Sequence, residues 1–434
     1  MRIMRSLGSA LALVVALGSA AVRGDTFTVT STADSGAGTL RQAILDANAN
    51  PGEDRIEFAI PEGDCSAAGV CTIDLITAPD AIDGAVVVDG TTQPRYGTAP
   101  ANVCATETDP SYMRVEILGD SSGFFSLYTL QVVSVDPSVI RGLALNRGYP
   151  IALHSSGGHR VQCTHIGVTA DGYIKVSTSA GVVIGQGGNG AIVGVDGDGV
   201  DDLAERNVIA AGVGIYINGN RNNVVAGNYV GLGADGVTSL GSALGVYIRQ
   251  GSSNNLVGTN EDEVSDELER NVIANYATGI NLDSTAGGGD GNRVVGNWLG
   301  VDANGAMAPN NTAIRLSDGG IDHEIRNNQI RWSTVGIKIE VDSAMGALST
   351  GNCVEDNVDG VIHEGTGVAT FESNWWGAAD GPAGDGPGSG DSVAVTGTGS
   401  LDFDPWLTSL PPRCAIFVDG FESGNTSAWS STTP

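Results

Sequence analysis

The chain has 434 residues, a formal net charge of −29, 64 glycines, and only 5% aromatic and 16% charged residues. Such an acidic protein is a poor partner for DNA, RNA or an anionic membrane surface, but it accommodates cations, basic partners and neutral sugars. So many glycines fit a chain of many tight turns rather than a bundle of helices.

At the N-terminus, Arg2 and Arg5 precede the apolar run LGSALALVVALGSAA, which is short for a bilayer span. Gly18 and Ala20 suit cleavage after Ala20, so residues 1–20 read as a secretory signal, with an anchor helix as the alternative. No later segment is apolar enough to cross a bilayer, so a secreted or outer-surface protein is expected. Residues 25–60 read as an N-terminal cap. Thr39 and Gln42 have capping-box spacing, which predicts a short helix over TLRQAILDANA.

Six cysteines fit an oxidising compartment. Cys65 and Cys71 are close enough to close a small loop, whereas the partners of Cys104, Cys163, Cys353 and Cys414 stay open. No CxxC spacing suggests zinc or redox chemistry.

From residue 61 to 407 the chain repeats itself. RNVIA occupies Arg206–Ala210 and returns at Arg270–Ala274, each time after an acidic loop. A second unit alternates with it: HRVQCTHIGVTADG from His159, NNVVAGNYVGLGADG from Asn222 and NRVVGNWLGVDANG from Asn292. Gly167, Gly231 and Gly300 mark its register, and a third apolar run (GVVI, GVYI, AIRL) follows. Each unit holds three short β-type runs with Asn and Gly at the corners, and none can bury its apolar side alone. Stacked, they make an all-β, single-stranded, right-handed parallel β-helix of roughly ten coils, about 50 Å long at the strand spacing. The third run supports this. Ile151 and Leu153, Val182 and Ile184, Ile215 and Ile217, Val246 and Ile248, Ile280 and Leu282, Ile314 and Leu316, and Ile337 and Ile339 share one inward phase. A β-sandwich with regular turns is the competing fold.

Beyond these units, NWWGAADGP and LDFDPWL carry Trp375, Trp376, Phe403 and Trp406. They read as a hydrophobic C-terminal plug, or alternatively as an aromatic sugar-binding patch. Residues 408–434 form a tail after a Pro-Pro step, read as a sorting or surface-retention segment or as an extra strand tied down by Cys414.

The opening TFTVTSTADSGAGTLRQAILDANANPGEDRIEF, the DGTTQP stretch (Asp89–Pro94) and the RNVIA units resemble secreted parallel β-helix proteins of the CSLREA-domain type. Leu40, Arg41 and Ala43 match the motif, Gln42 replaces its Glu, and Gly38-Thr39 replace its Cys-Ser. The resemblance covers most of Thr26 to Leu407 and implies the fold rather than an activity. A helix across the open end of such a rod removes exposed core and unpaired strand edges.

The outward positions of the third run give two columns. The first is Ala152, Val183, Tyr216, Tyr247, Asn281, Arg315 and Lys338; the second is His154, Gly185, Asn218, Arg249, Asp283, Ser317 and Glu340. Tyr216, Tyr247, Arg249, Asn281, Asp283, Arg315 and Lys338 are the candidate glycan-binding face, since rings offer flat apolar area and polar groups meet hydroxyls and carboxylates. The same residues also read as a solvated strand face, with the tyrosines a packing pair and Arg249 and Asp283 a ladder salt bridge.

If the face is catalytic, Lys338 or Arg315 is the candidate base of a polysaccharide lyase, two stacked cations lowering each other's pKa. Asp283 and Glu340 are the alternative, a glycosidase carboxylate pair two coils and roughly 10 Å apart. The chain shows no match to the paired-Asp and Gly-His-Gly pattern of polygalacturonases, and non-catalytic binding of extracellular polysaccharide or surface adhesion is the favoured expectation. A structural envelope component is a third. His159 and His165 fall in one coil and are a weak zinc pair. Calcium is the one cofactor considered, at Asp196, Asp198, Asp201 and Asp202 of the DGDGVDD loop. The loop two coils on, NEDEVSDELE, reads as solvated acids projecting from the same corner.

Overall fold

The computed structural model describes residues 24–96, 104–106, 109–119, 128–283, 289–318, 320, 322–340 and 348–414. The expected signal, residues 1–20, lies outside the described residues, as does the tail from residue 415 on. No helix among the described residues is long and apolar enough to cross a membrane.

Among the described residues, short strands stack in parallel into three sheets of thirteen, ten and eleven strands. The chain visits one strand of each sheet per circuit. Ile192–Gly194, Val208–Ile209 and Val213–Asn218 make one coil. Val224–Ala226, Tyr229–Val230 and Leu244–Arg249 make the next. The result is an all-β right-handed parallel β-helix, the hand that parallel crossover connections favour. RNVIA supplies the middle strand of two coils with one coil between them, Val208–Ile209 and Val272–Ile273 both pairing with Tyr229–Val230.

The alternation of the third run becomes a stacked core. Ile215, Val246, Ile280, Ile314 and Ile337 are successive strand partners, as are Ile217, Ile248, Leu282, Leu316 and Ile339. All are buried, and each such side chain contributes about 1.5–3 kcal/mol on leaving water.

The corner asparagines do more than turn the chain. Asn207, Asn228, Asn271, Asn297, Asn328, Asn352 and Asn374 are fully buried and hydrogen-bonded in a continuous ladder. Each amide also donates to a main-chain carbonyl of the preceding coil, such as Val161 for Asn207 and Val225 for Asn271. Asn223, Asn255 and Asn292 form a second ladder at another corner, ending on His323. The register glycines have their own reason. Gly231 and Gly300 have φ of 82°, and a Cβ there would lie 2.0 Å from the Ala274 carbonyl and 1.8 Å from that of Arg331.

The N-terminal helix, Leu40–Ala49, starts at Thr39, whose side chain accepts from the Gln42 N–H. Only this half of the capping box forms: the Thr39 N–H donates to the Gly36 carbonyl instead, and the Gln42 amide donates onward to Asp46 at 2.8 Å. Leu40, Ala43, Ile44 and Ala47 turn inward onto the first coils. At the other end Trp376 is fully buried beside Phe371, and Phe403 and Trp406 pack against the same core. Trp375 packs with Cys353, Cys414 and Leu407, and its indole donates to Glu355 at 3.1 Å. These aromatics form a plug. The disulfides are Cys65–Cys71, Cys104–Cys163 and Cys353–Cys414, and no cysteine is free.

Candidate functional site

The third sheet presents the first column in the expected register. Val183, Tyr216, Tyr247, Asn281, Arg315 and Lys338 are consecutive strand partners. Its exposure is uneven. Ala152 and Val183 are buried, so the accessible row begins at Tyr216; beyond it Asn281 is also buried, while Tyr247, Arg315 and Lys338 are half-exposed. The second column slips. Asn218, Arg249 and Asp283 are partners, but Asp283 then pairs with Asp318 rather than Ser317. The register shifts at the Leu282–Asp283 step, and Ser317, between Leu316 and Asp318 on the facing strand, is the extra residue of a bulge. Ser317 instead donates its hydroxyl to Asn281 at 2.9 Å.

Within the row, the Tyr216 and Tyr247 rings stack with centroids 5.4 Å apart and an interplanar angle of 21°. The Tyr247 hydroxyl donates to Asp283 at 2.6 Å. Burial and this bond push the phenol up to about 12, so it stays protonated. Arg249 lies 3.8 Å from Asp283 and 6.0 Å from the Tyr247 centroid. The packing pair and the ladder ion pair are thus both present on this face.

The cations are paired. Arg315 Nε donates to Glu340 at 2.8 Å, and its Nη2 contacts the same carboxylate. Lys338 lies 2.8 Å from Glu340 and 3.3 Å from Glu364. This reverses the expected pKa shift. Its bond to Glu340 holds the Lys338 ammonium above its ordinary range, against the effect of burial, and Glu364 adds to the rise. Burial alone would raise the Glu340 carboxyl, but Lys338 and Arg315 outweigh it and hold it below the usual range. Sequence reasoning missed Glu364 because it follows a strand one coil further on. Asp283 and Glu340 are therefore engaged with different partners.

The acidic corner also differs from expectation. Of Asp196, Asp198, Asp201 and Asp202, only Asp196 and Asp202 converge, and the third member is Glu205. Asp198 and Asp201 are exposed. Asp201 is a left-handed residue, φ 59°, that starts the turn Asp202–Glu205 and so directs Asp202 and Glu205 inward together. Burial pushes the Glu205 carboxyl up to about 7; the Asp196 N–H opposes this, while the charges of Asp196, Asp202 and Asp198 add to it. The available signal was the Glu that precedes RNVIA in both copies.

The two histidines have separate duties. His159 accepts from the Ser138 N–H at 3.2 Å, whereas His165 bonds Ser111 at 2.7 Å and the Thr169 carbonyl at 3.2 Å. Two depressions of about 200 and 290 Å³ lie elsewhere, along the second sheet. One is lined by Ser111, Arg206, Val208 and Tyr229, the other by Thr72, Tyr112, Glu116 and Asp171.

No family model matches the chain, and no curated protein matches it. Among solved structures it is similar to the periplasmic alginate epimerase AlgG, at 12% identity and a TM-score of 0.44, over 82% of this chain and 74% of that one. It is also similar to the A-module of the Azotobacter vinelandii mannuronan C-5 epimerase AlgE4, at 12% identity and a TM-score of 0.26, over 89% of this chain and 98% of that one.

Proposed function

We propose that the third face, from Tyr216 to Lys338, binds an extended extracellular polysaccharide without turning it over. The supporting observation is the row itself. A stacked tyrosine pair leads strand by strand into Asn281, Arg315 and Lys338, at about 4.8 Å per step. Rings offer flat apolar area to sugar faces, and the cations offer donors to hydroxyls and carboxylates. The protonation states favour binding over turnover. Lys338 is held as an ammonium, Glu340 as a carboxylate and Tyr247 as a phenol, whereas a general acid or base works best with a pKa near the operating pH.

The setting proposed is outside the inner membrane, secreted or on the cell surface, reached through residues 1–20 as a signal, with 408–434 as a retention segment and 25–60 as a CSLREA-type cap. Three disulfides suit that compartment.

The test is a glycan array followed by titration calorimetry with acidic and neutral polysaccharides. Binding is expected, weakened about tenfold or more by Tyr247→Ala and by Lys338→Ala. Absence of binding across the array would leave the row as a solvated strand face. Release of unsaturated uronate product, lost in Lys338→Ala and Arg315→Ala, would replace this reading with a polysaccharide lyase.

A further inference from the structure

Residues 195–206 and 259–270 trace the same path at one corner of the rod, two coils apart. In each, a residue of positive φ (Asp201, 59°; Ser265, 55°) starts a short helical turn, Asp202–Glu205 or Asp266–Glu269. Asp202 stands where Asp266 stands, and Glu205 where Glu269 stands.

In the second loop both of these carboxylates have donors. Asp266 accepts from the Thr259 hydroxyl at 2.5 Å and from the Glu263 N–H at 3.2 Å. Glu269 accepts from the Asn260 N–H at 2.9 Å and from its side-chain amide at 3.2 Å. The first loop has Val195 in place of Thr259 and Asp196 in place of Asn260. Both side-chain donors are gone, and another carboxylate has arrived.

The consequence falls on Asp202. It is 3% exposed, and neither of its carboxylate oxygens has a hydrogen-bond partner. A buried polar group left this way is strongly unfavourable unless something else satisfies it. Asp196 takes a salt bridge from Arg160 at 2.9 Å and a long bond from the Asp198 N–H at 3.3 Å. Glu205 accepts from the Asp196 N–H at 2.8 Å. One oxygen from each of Asp196, Asp202 and Glu205 lies within 4.8 Å of the others. Oxygens about 2.4 Å from a shared ion fall within such a spacing. Once all three are ionised, the three carboxylates against the Arg160 guanidinium leave two negative charges, the charge a divalent cation neutralises.

We propose that Asp196, Asp202 and Glu205 bind a divalent cation of the calcium type, and that the loop carrying Asp266 and Glu269 is its metal-free counterpart, closed by Thr259 and Asn260 instead. Hard carboxylate donors select calcium, magnesium or manganese over thiophilic metals. Main-chain carbonyls or water complete the shell. The ion fastens this corner loop as the side-chain donors fasten the other.

The test uses the full chain, stripped with a chelator and titrated with calcium by calorimetry, with thermal melts in parallel. Wild type is expected to bind about one equivalent and to melt higher as calcium rises. Asp202→Asn should bind more than about tenfold more weakly. The double variant Val195→Thr with Asp196→Asn copies the second loop; it should keep the wild-type circular dichroism spectrum and melt independently of calcium. A wild-type melt unmoved up to about 10 mM calcium would overturn the proposal. Equal binding by wild type and the folded double variant would overturn it too.

Discussion

Replacing Asn271 with alanine removes one rung of the buried asparagine ladder, and its cost follows from the bonds it makes. Its Oδ1 accepts from the Asn228 N–H and side-chain amide, both at 3.0 Å. Its own amide donates to the Val225 carbonyl at 2.8 Å and to Asn297 Oδ1 at 2.9 Å. After Asn271→Ala, the Asn228 side chain keeps the Val193 and Ala226 carbonyls. The Asn228 N–H and Asn297 Oδ1 lose these partners in a corner with no exposed surface. Each buried orphan costs about 1–3 kcal/mol, and the lost side-chain atoms add a small cavity term. A loss of about 3–5 kcal/mol is expected. Asn271→Asp should also destabilise at neutral pH, because its carboxylate keeps the acceptor but faces Asn297 Oδ1 without a proton to donate. Denaturant titration followed by circular dichroism and by tryptophan fluorescence measures both. An Asn271→Ala protein within about 1 kcal/mol of wild type would refute the reasoning, since the ladder would then be a corner decoration rather than a structural beam.

His165 is fully buried, and burial pushes its imidazole down to about 4, against smaller opposing effects from the Thr169 backbone and Asp171. The unfolded chain therefore takes up a proton before the folded one, so this contribution to stability is intact above pH ~6.5 and is lost as pH falls towards 4. The loss is on the order of 3 kcal/mol. Denaturant midpoints across that range should show the slope, and an identical slope in His165→Gln would rule out His165 as its source. Replacing Cys353 and Cys414 together by serine opens a link between residues 61 apart in sequence, for which chain entropy predicts a loss of up to about 4 kcal/mol. Melting of the double variant alongside reduced wild type checks this, and unchanged melting in both would count against a structural role for the bridge.

The coil was legible because each third run alternates strictly, so inward Ile215, Val246 and Ile280 and outward Tyr216, Tyr247 and Asn281 could be assigned from period alone. The same logic failed at Ser317. A bulge adds one residue without disturbing the local alternation, and only the pairing of Asp283 with Asp318 reveals it. The acidic corner was legible as charge but not as geometry. Which acids converge depends on the left-handed backbone at Asp201, which aims Asp202 and Glu205 inward and leaves Asp198 in water. The direction of the Lys338 shift is not legible from its own column, where Arg315 is the neighbour; it is set mainly by Glu340 of the second column, with Glu364 adding to it. In the sequence, asparagine at a corner signals only turn chemistry. Its ladder is a property of stacking, which no single coil displays.

The Cys353–Cys414 bridge also sets how the rod carries load. Cys353 belongs to the strand Cys353–Glu355 of the second sheet, and everything from residue 354 to 413, including the third-sheet strands Asp359–His363, Pro382–Gly384 and Gly390–Val395 and the aromatic plug, lies inside the covalent loop. Tension applied to the chain beyond residue 414 enters the wall of the rod at Cys353 and passes directly towards the N-terminal coils. The C-terminal plug is off that path. A tether attached to the tail would pull on the side wall while the end of the rod stays closed.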